Sequence, residues 1–157
     1  MAFIAGTYTA TLNGNTLGVT EGGFEIENIN FGERIIGDNL GQSMQDYVYQ
    51  GGDVFISMVL EEYNAAGAAA AFWPWAVWGT IGQVGRLATA VGTALVLTDV
   101  AGTAAAGLPA SISVTKAILA PGFSVRQLLA TRLRKIPLRL QALPQGSAGS
   151  ETWFALT

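Results

Sequence analysis

The stretch from Gly32 to Gly52, GERIIGDNLGQSMQDYVYQGG, lies between two segments that both read as β-strand. A structureless loop of about 20 residues is uncommon inside a domain, where connections usually run about 4 to 6. Turn formers are confined to Gly37-Asp38-Asn39 and Gly41. The run Gln45-Asp46-Tyr47-Val48-Tyr49-Gln50 is rich in aromatic and β-branched residues, and Gly51-Gly52 closes it. The pattern predicts a projecting β-hairpin over Glu33 to Gln50. Arms of about 8 residues at roughly 3.3 Å each reach about 25 Å, beyond the radius of a domain of this size. Such an arm needs something outside the domain to pack against.

Working outward, Asp53 to Glu61 is the most strand-like segment: Val54, Ile56, Met58 and Leu60 form one apolar face, while Phe55 and Val59 imply partial cover on the other. On the N-terminal side, Gly6 to Leu12 alternates threonines with Tyr8, Ala10 and Leu12. Asn13-Gly14-Asn15 then gives a tight hairpin turn, and Gly18 to Phe31 is the expected return strand. In that strand Phe24 and Ile26 share one face, and Glu25 and Glu27 share the other in phase with Glu21, so the acidic face must be wet. Past Glu61, Asn64 is a suitable cap for a helix over Ala65 to Trp73. The cluster Phe72, Trp73, Trp75, Trp78 reads as the anchor of that helix on a sheet, with a ligand-stacking platform as the alternative. The second half returns to strands at Gly92 to Val100, Ser111 to Leu119, Lys135 to Leu143 and Trp153 to Leu156. In the third of these, Ile136, Leu138, Leu140 and Ala142 point inward and Lys135, Arg139 and Gln141 outward. Arg126 to Arg134 has helical or loop character. No internal repeat and no linker is evident, so residues 1–157 read as a single, mainly β domain.

Composition points to assembly. Half the residues are hydrophobic and only 12% are charged, against about 25% in typical soluble domains. A monomer's surface would be unusually bare, which implies cover by other subunits. Charge is segregated as well. Met1 to Glu62 holds nine acids against Arg34 alone, a net of -8, and the remainder holds two acids against seven bases, a net of +5. Such complementarity serves either sheets that face each other within one subunit or head-to-tail contacts between copies.

Little chemistry is on offer. The chain has no cysteine and no histidine, which removes thiol chemistry, most zinc and haem ligation, and the commonest general base. Gly14 to Gly18 and Gly79 to Gly85 match no phosphate-binding pattern. Glu25 with Glu27, or Glu61 with Glu62, carry nothing that marks them as a glycosidase pair. The basic residues Arg126, Arg132, Arg134, Lys135 and Arg139 suit intersubunit salt bridges better than nucleic acid, because no aromatic residue is interleaved with them and the overall pI is acidic. No enzyme activity and no cofactor is expected. Ala65 to Ile81 is uncharged but mostly alanine, short for a spanning helix and broken by Pro74, so no membrane insertion is expected. No targeting signal is visible at the N-terminus.

The Asn/Gly hairpin with EGG and an acidic strand (Leu12 to Gly23 and onward), the long excursion, the strand-to-helix step of Asp53 to Ala66 and the late IPLRLQALP strand (Ile136 to Pro144) form an ordered set. In this order the chain resembles the tail tube, or major tail, proteins of tailed bacteriophages, and the order of elements covers nearly the whole sequence. The resemblance implies a β-sandwich or barrel subunit with one flanking helix. Six copies would close a ring, and rings would stack into a tube through which double-stranded genome DNA passes. It also implies a virion location after assembly in the bacterial host cytoplasm, with the tape measure protein and tail terminator or baseplate proteins as partners. The long hairpin would pack on neighbouring subunits through Glu33, Arg34, Ile35, Asp38, Leu40, Met44, Asp46, Tyr47 and Tyr49. Because carboxylates repel DNA and let it slide, Glu21, Glu25 and Glu27 are expected to face the lumen, with the outer wall or the ring-to-ring seam as the alternative. Within the same class stand a tail terminator, a baseplate hub or a contractile-injection tube ring. Outside it stands a β-sandwich module binding nucleic acid or carbohydrate.

Overall fold

A computed structural model of the chain describes residues 8–17, 20–38, 41, 43–61, 84–100, 102, 107–124 and 135–157. The fold is mainly β. The described strands are β1 (Tyr8–Leu12), β2 (Asn15–Thr16), β3 (Thr20–Ile36), β4 (Met44–Leu60), β5 (Thr93–Asp99), β6 (Ser111–Leu119), β7 (Ile136–Ala142) and β8 (Ala155–Leu156), with one short helix, α1 (Ala88–Val91), before β5. They form one antiparallel sheet in the order β2-β1-β5-β6-β7-β4-β3, and β8 pairs with β6. The expected helix over Ala65 to Trp73, its aromatic cluster and the Arg126 to Arg134 segment lie outside the described residues.

Asn13 and Gly14 take φ values of 51° and 76°, the left-handed pair a primed two-residue turn requires. The strand that returns from this turn differs from expectation. Among the described residues Asn15–Thr16 pairs back on β1 and the Leu17 amide donates to the Ala10 carbonyl, while β3 pairs with β4 at the far edge of the sheet. Hydrophobic register explains the choice. β1 is matched instead by β5, whose Leu95 and Leu97 stand opposite Leu12 and Ala10, all four being buried. Phe24 and Ile26 of β3 stand opposite Met58 and Ile56 of β4, extending the same apolar face.

The core lies on that face. Val54 and Ile56 are fully buried, and Met58, Leu60, Ile136, Leu138, Leu140 and Ala142 join them in one cluster with Leu95, Leu97 and Val114. The alternation read in β4 and β7 is therefore the alternation of core and outer face. β6 departs from it. A register shift opposite β5 leaves Leu95 facing Val114 and Thr93 facing Ala117, so two residues three apart both enter the core. Lys116, in the bulged stretch, donates from Nζ to the carbonyl of Thr89 in α1. At the C-terminus a bridge between Gln145 and Thr152 closes the last turn, and Trp153 and Phe154 pack against the core ahead of β8.

Candidate assembly interface

β3 and β4 are each 17 residues long and pair from Thr20↔Leu60 to Ile36↔Met44. Only their inner halves belong to the body of the sheet. The last β4 residue paired with β7 is Val54, opposite Ala142. From Ile29↔Asp53 outward the pair continues as a two-stranded ribbon, bulged after Phe31 and again after Ile35. At about 3.3 Å per residue this arm is about 25 Å long.

The two faces of the arm follow from the pairing, since residues directly opposite share a face. On the face continuous with the core lie Gly32, Arg34 and Ile36 of β3, with Tyr49, Tyr47 and Met44 opposite them. A Cβ on Gly32 would run into the Tyr47 ring, so the missing side chain is what lets that ring lie across the strand. On the other face lie Glu33 and Ile35, opposite Val48 and Asp46, with Phe31 in phase. Gln50 donates to the Glu33 carboxylate at 3.2 Å, and the Asp46 carboxylate accepts the Tyr47 amide at 2.7 Å. Among the described residues the side chains of Arg34 and Asp38 have no hydrogen-bond or ion-pair partner, and Leu40 lies outside those residues.

Apolar exposure is concentrated here. Of the eleven large hydrophobic residues that are exposed among the described residues, seven lie in this arm: Phe31, Ile35, Ile36, Met44, Tyr47, Val48 and Tyr49, at 43 to 56% exposure. They occupy both of its faces, so a single partner on one side would leave half of them wet.

The outer face of the sheet body carries the charged residues expected from sequence. Arg139 of β7 reaches across β4 to Glu27, at 2.8 Å between guanidinium nitrogen and carboxylate, and its guanidinium lies over the Phe55 ring at 4.2 Å. Gln141 donates to Asp53 at 3.2 Å, and Lys135 lies 3.9 Å from Glu61. Two bases expected between subunits are thus engaged within their own chain, and Arg126, Arg132 and Arg134 lie outside the described residues. The expected acidic strip is correspondingly not uniform: Glu27 is compensated, the Glu25 side chain has no partner among the described residues, and Glu21 stands opposite Val59 in register.

Beside Glu25 the surface is hollowed. Gly22 and Gly23, with φ of 72° and 78°, form a bulge where the pairing steps from Glu21↔Val59 to Phe24↔Met58. At the bulge lies a groove of about 340 Å³ lined by Gly22, Gly23, Glu25, Val59, Phe123, Pro137 and Arg139 among others. Phe123 is set there by a turn in which its amide donates to the Ala120 carbonyl. A second groove of about 330 Å³ continues past Phe123 and Arg139 toward Phe55 and Pro121. Sequence reasoning did not find this groove; its available signal was two consecutive glycines inside a strand.

Among the described residues no group of three or more acidic side chains is placed to hold a metal ion, and no helix is long and apolar enough to cross a membrane. No protein-family model and no curated protein sequence matches the chain.

Proposed function

We propose that this protein is a structural subunit that assembles through its β3–β4 arm into stacked rings, as a component of the tail tube of a bacteriophage. The observation that carries the reading is the arm itself. A two-stranded ribbon is marginal in water on its own, and this one leaves seven large apolar side chains about half exposed. At roughly 80 to 100 Å² of open surface each, they present about 600 Å² over the arm's two faces, near one partner's share of a standard interface. Their place on both faces favours an arm held between two neighbours, which suits a subunit that contacts copies in its own ring and in the next.

The sheet topology supports the finer architecture. β6 pairs with β5 over most of its length but with β7 only from Ala117 to Leu119, so the two halves of the sheet can fold over a shared core as a sandwich or barrel. Six-fold closure, the lumen for double-stranded DNA, the tape measure and terminator or baseplate partners and the virion location come from the resemblance described above. In this reading the chain works by shape and has no catalytic role. The lumen assignment of the Glu21, Glu25 and Glu27 strip carries least weight, because Arg139 already compensates Glu27.

Negative-stain electron microscopy of the purified chain at rising concentration, with size-exclusion and light scattering, tests the proposal. Long hollow tubes with a regular ring repeat are expected. Single closed rings would move the reading to a terminator or hub. A monomer that remains monodisperse at high concentration and binds DNA or oligosaccharide would overturn it in favour of a binding module.

A further inference from the structure

We infer that the groove beside Gly22-Gly23 receives the core-side face of the arm of a second copy, with Arg34 of the incoming arm paired to Glu25 in the groove's lining. The inference rests on the assembly reading and names the surface that the arm would occupy.

Three observations converge on it. Among the side chains the structure describes, Arg34 is the one base, and Glu25 one of two acids, without a hydrogen-bond or ion-pair partner, the other acid being Asp38. They cannot satisfy each other within one chain. Nine residues apart on β3, at about 3.3 Å per residue they are some 30 Å distant, and their odd and even positions place them on opposite faces of the strand. The surfaces around them match in kind. Arg34 is set among Tyr47, Ile36 and Met44, all about half exposed, and Glu25 lines a groove with Val59, Phe123 and Pro137 and with Arg139, whose charge is already engaged by Glu27. At about 340 Å³ the groove is at the lower end for small-ligand sites, a size suited to one or two inserted side chains. An arm that docks on a different part of its neighbour makes a head-to-tail contact, the kind that closes rings or runs on as filaments.

Charge exchange tests the pairing. Arg34→Glu and Glu25→Arg should each raise the concentration at which the chain assembles by at least about tenfold, since an interfacial charge left facing its like is costly. The double exchange should return it to within about threefold of wild type. Both side chains are exposed and unpaired in the isolated subunit, so circular dichroism and the urea midpoint should not change. A second measurement does not depend on charge. The chain has no cysteine, so a mixture of Tyr47→Cys and Val59→Cys subunits should form disulfide-linked dimers under mild oxidation that neither forms alone. Wild-type chain that never assembles would overturn the assembly reading, and this inference with it. Wild-type tubes with single exchanges that assemble normally, or a double exchange that stays defective together with no cross-link, would overturn the Arg34–Glu25 docking alone.

Discussion

Tyr49 offers the most discriminating perturbation of the arm. It is 56% exposed, and an aromatic side chain has about 200 Å² to bury, so roughly 110 Å² of it waits for a partner. At about 25 cal/mol/Å² its cover by a neighbour contributes about 2.5 kcal/mol per contact. Tyr49→Ser should therefore raise the critical concentration for assembly by roughly 50- to 100-fold. Core stability should barely respond, because what Tyr49 touches within its own chain is the arm, where its hydroxyl oxygen lies 3.3 Å from the place a Cβ on Gly52 would occupy. Assembly would be followed by right-angle light scattering over a concentration series, and core stability by urea unfolding of the dilute subunit. Tubes that form at the wild-type concentration would refute the reasoning. So would a loss of unfolding free energy as large as that from a core cavity, since the ring would then belong to the monomer's own packing.

Three further outcomes are expected. Ile56→Ala, at a position with no exposure, should cost about 2 to 5 kcal/mol of subunit stability by urea unfolding, with assembly lost only as the folded fraction falls. Arg139→Lys keeps the charge but loses the planar group that lies over Phe55 while reaching Glu27; with both partners partly exposed, the loss should be about 0.5 to 1.5 kcal/mol and should shrink at high salt only in its ionic part. Gly32→Ala should displace the Tyr47 ring and the Val48 carbonyl, seen as a changed near-ultraviolet circular dichroism signal and weakened assembly with an unchanged core transition.

Where the sequence was legible, a local rule sufficed. Strict alternation set the inward residues of β4 and β7, Asn13-Gly14 set the first turn, and aromatic and β-branched residues between glycines marked the arm. The reading failed where pairing depends on distant chain. Nothing local tells the strand from Thr20 onward to leave β1 and pair with β4, because Phe24 and Ile26 would bury equally well beside any strand of the right phase. The bulge in β6 likewise escapes a period-two reading, since Val114 and Ala117 reach the core only by a register shift against β5.

The charged positions divide in the same way. Alternation by itself determined that Glu25, Glu27 and Arg139 point away from the core, because a strand sends successive side chains to opposite faces. Which of them pair was decided only by the order of strands: β4 between β3 and β7 puts Phe55 between Glu27 and Arg139, so the guanidinium can lie on the ring and reach the carboxylate. The same order leaves Glu25 in the groove beside Val59, Phe123 and Pro137, and Arg34 out on the arm. Composition determined that this chain has too little charge to cover a monomer's surface. Tertiary structure decided where the apolar remainder of the described residues gathers, because among the described strands only β3 and β4 outrun the neighbours that would have buried their side chains.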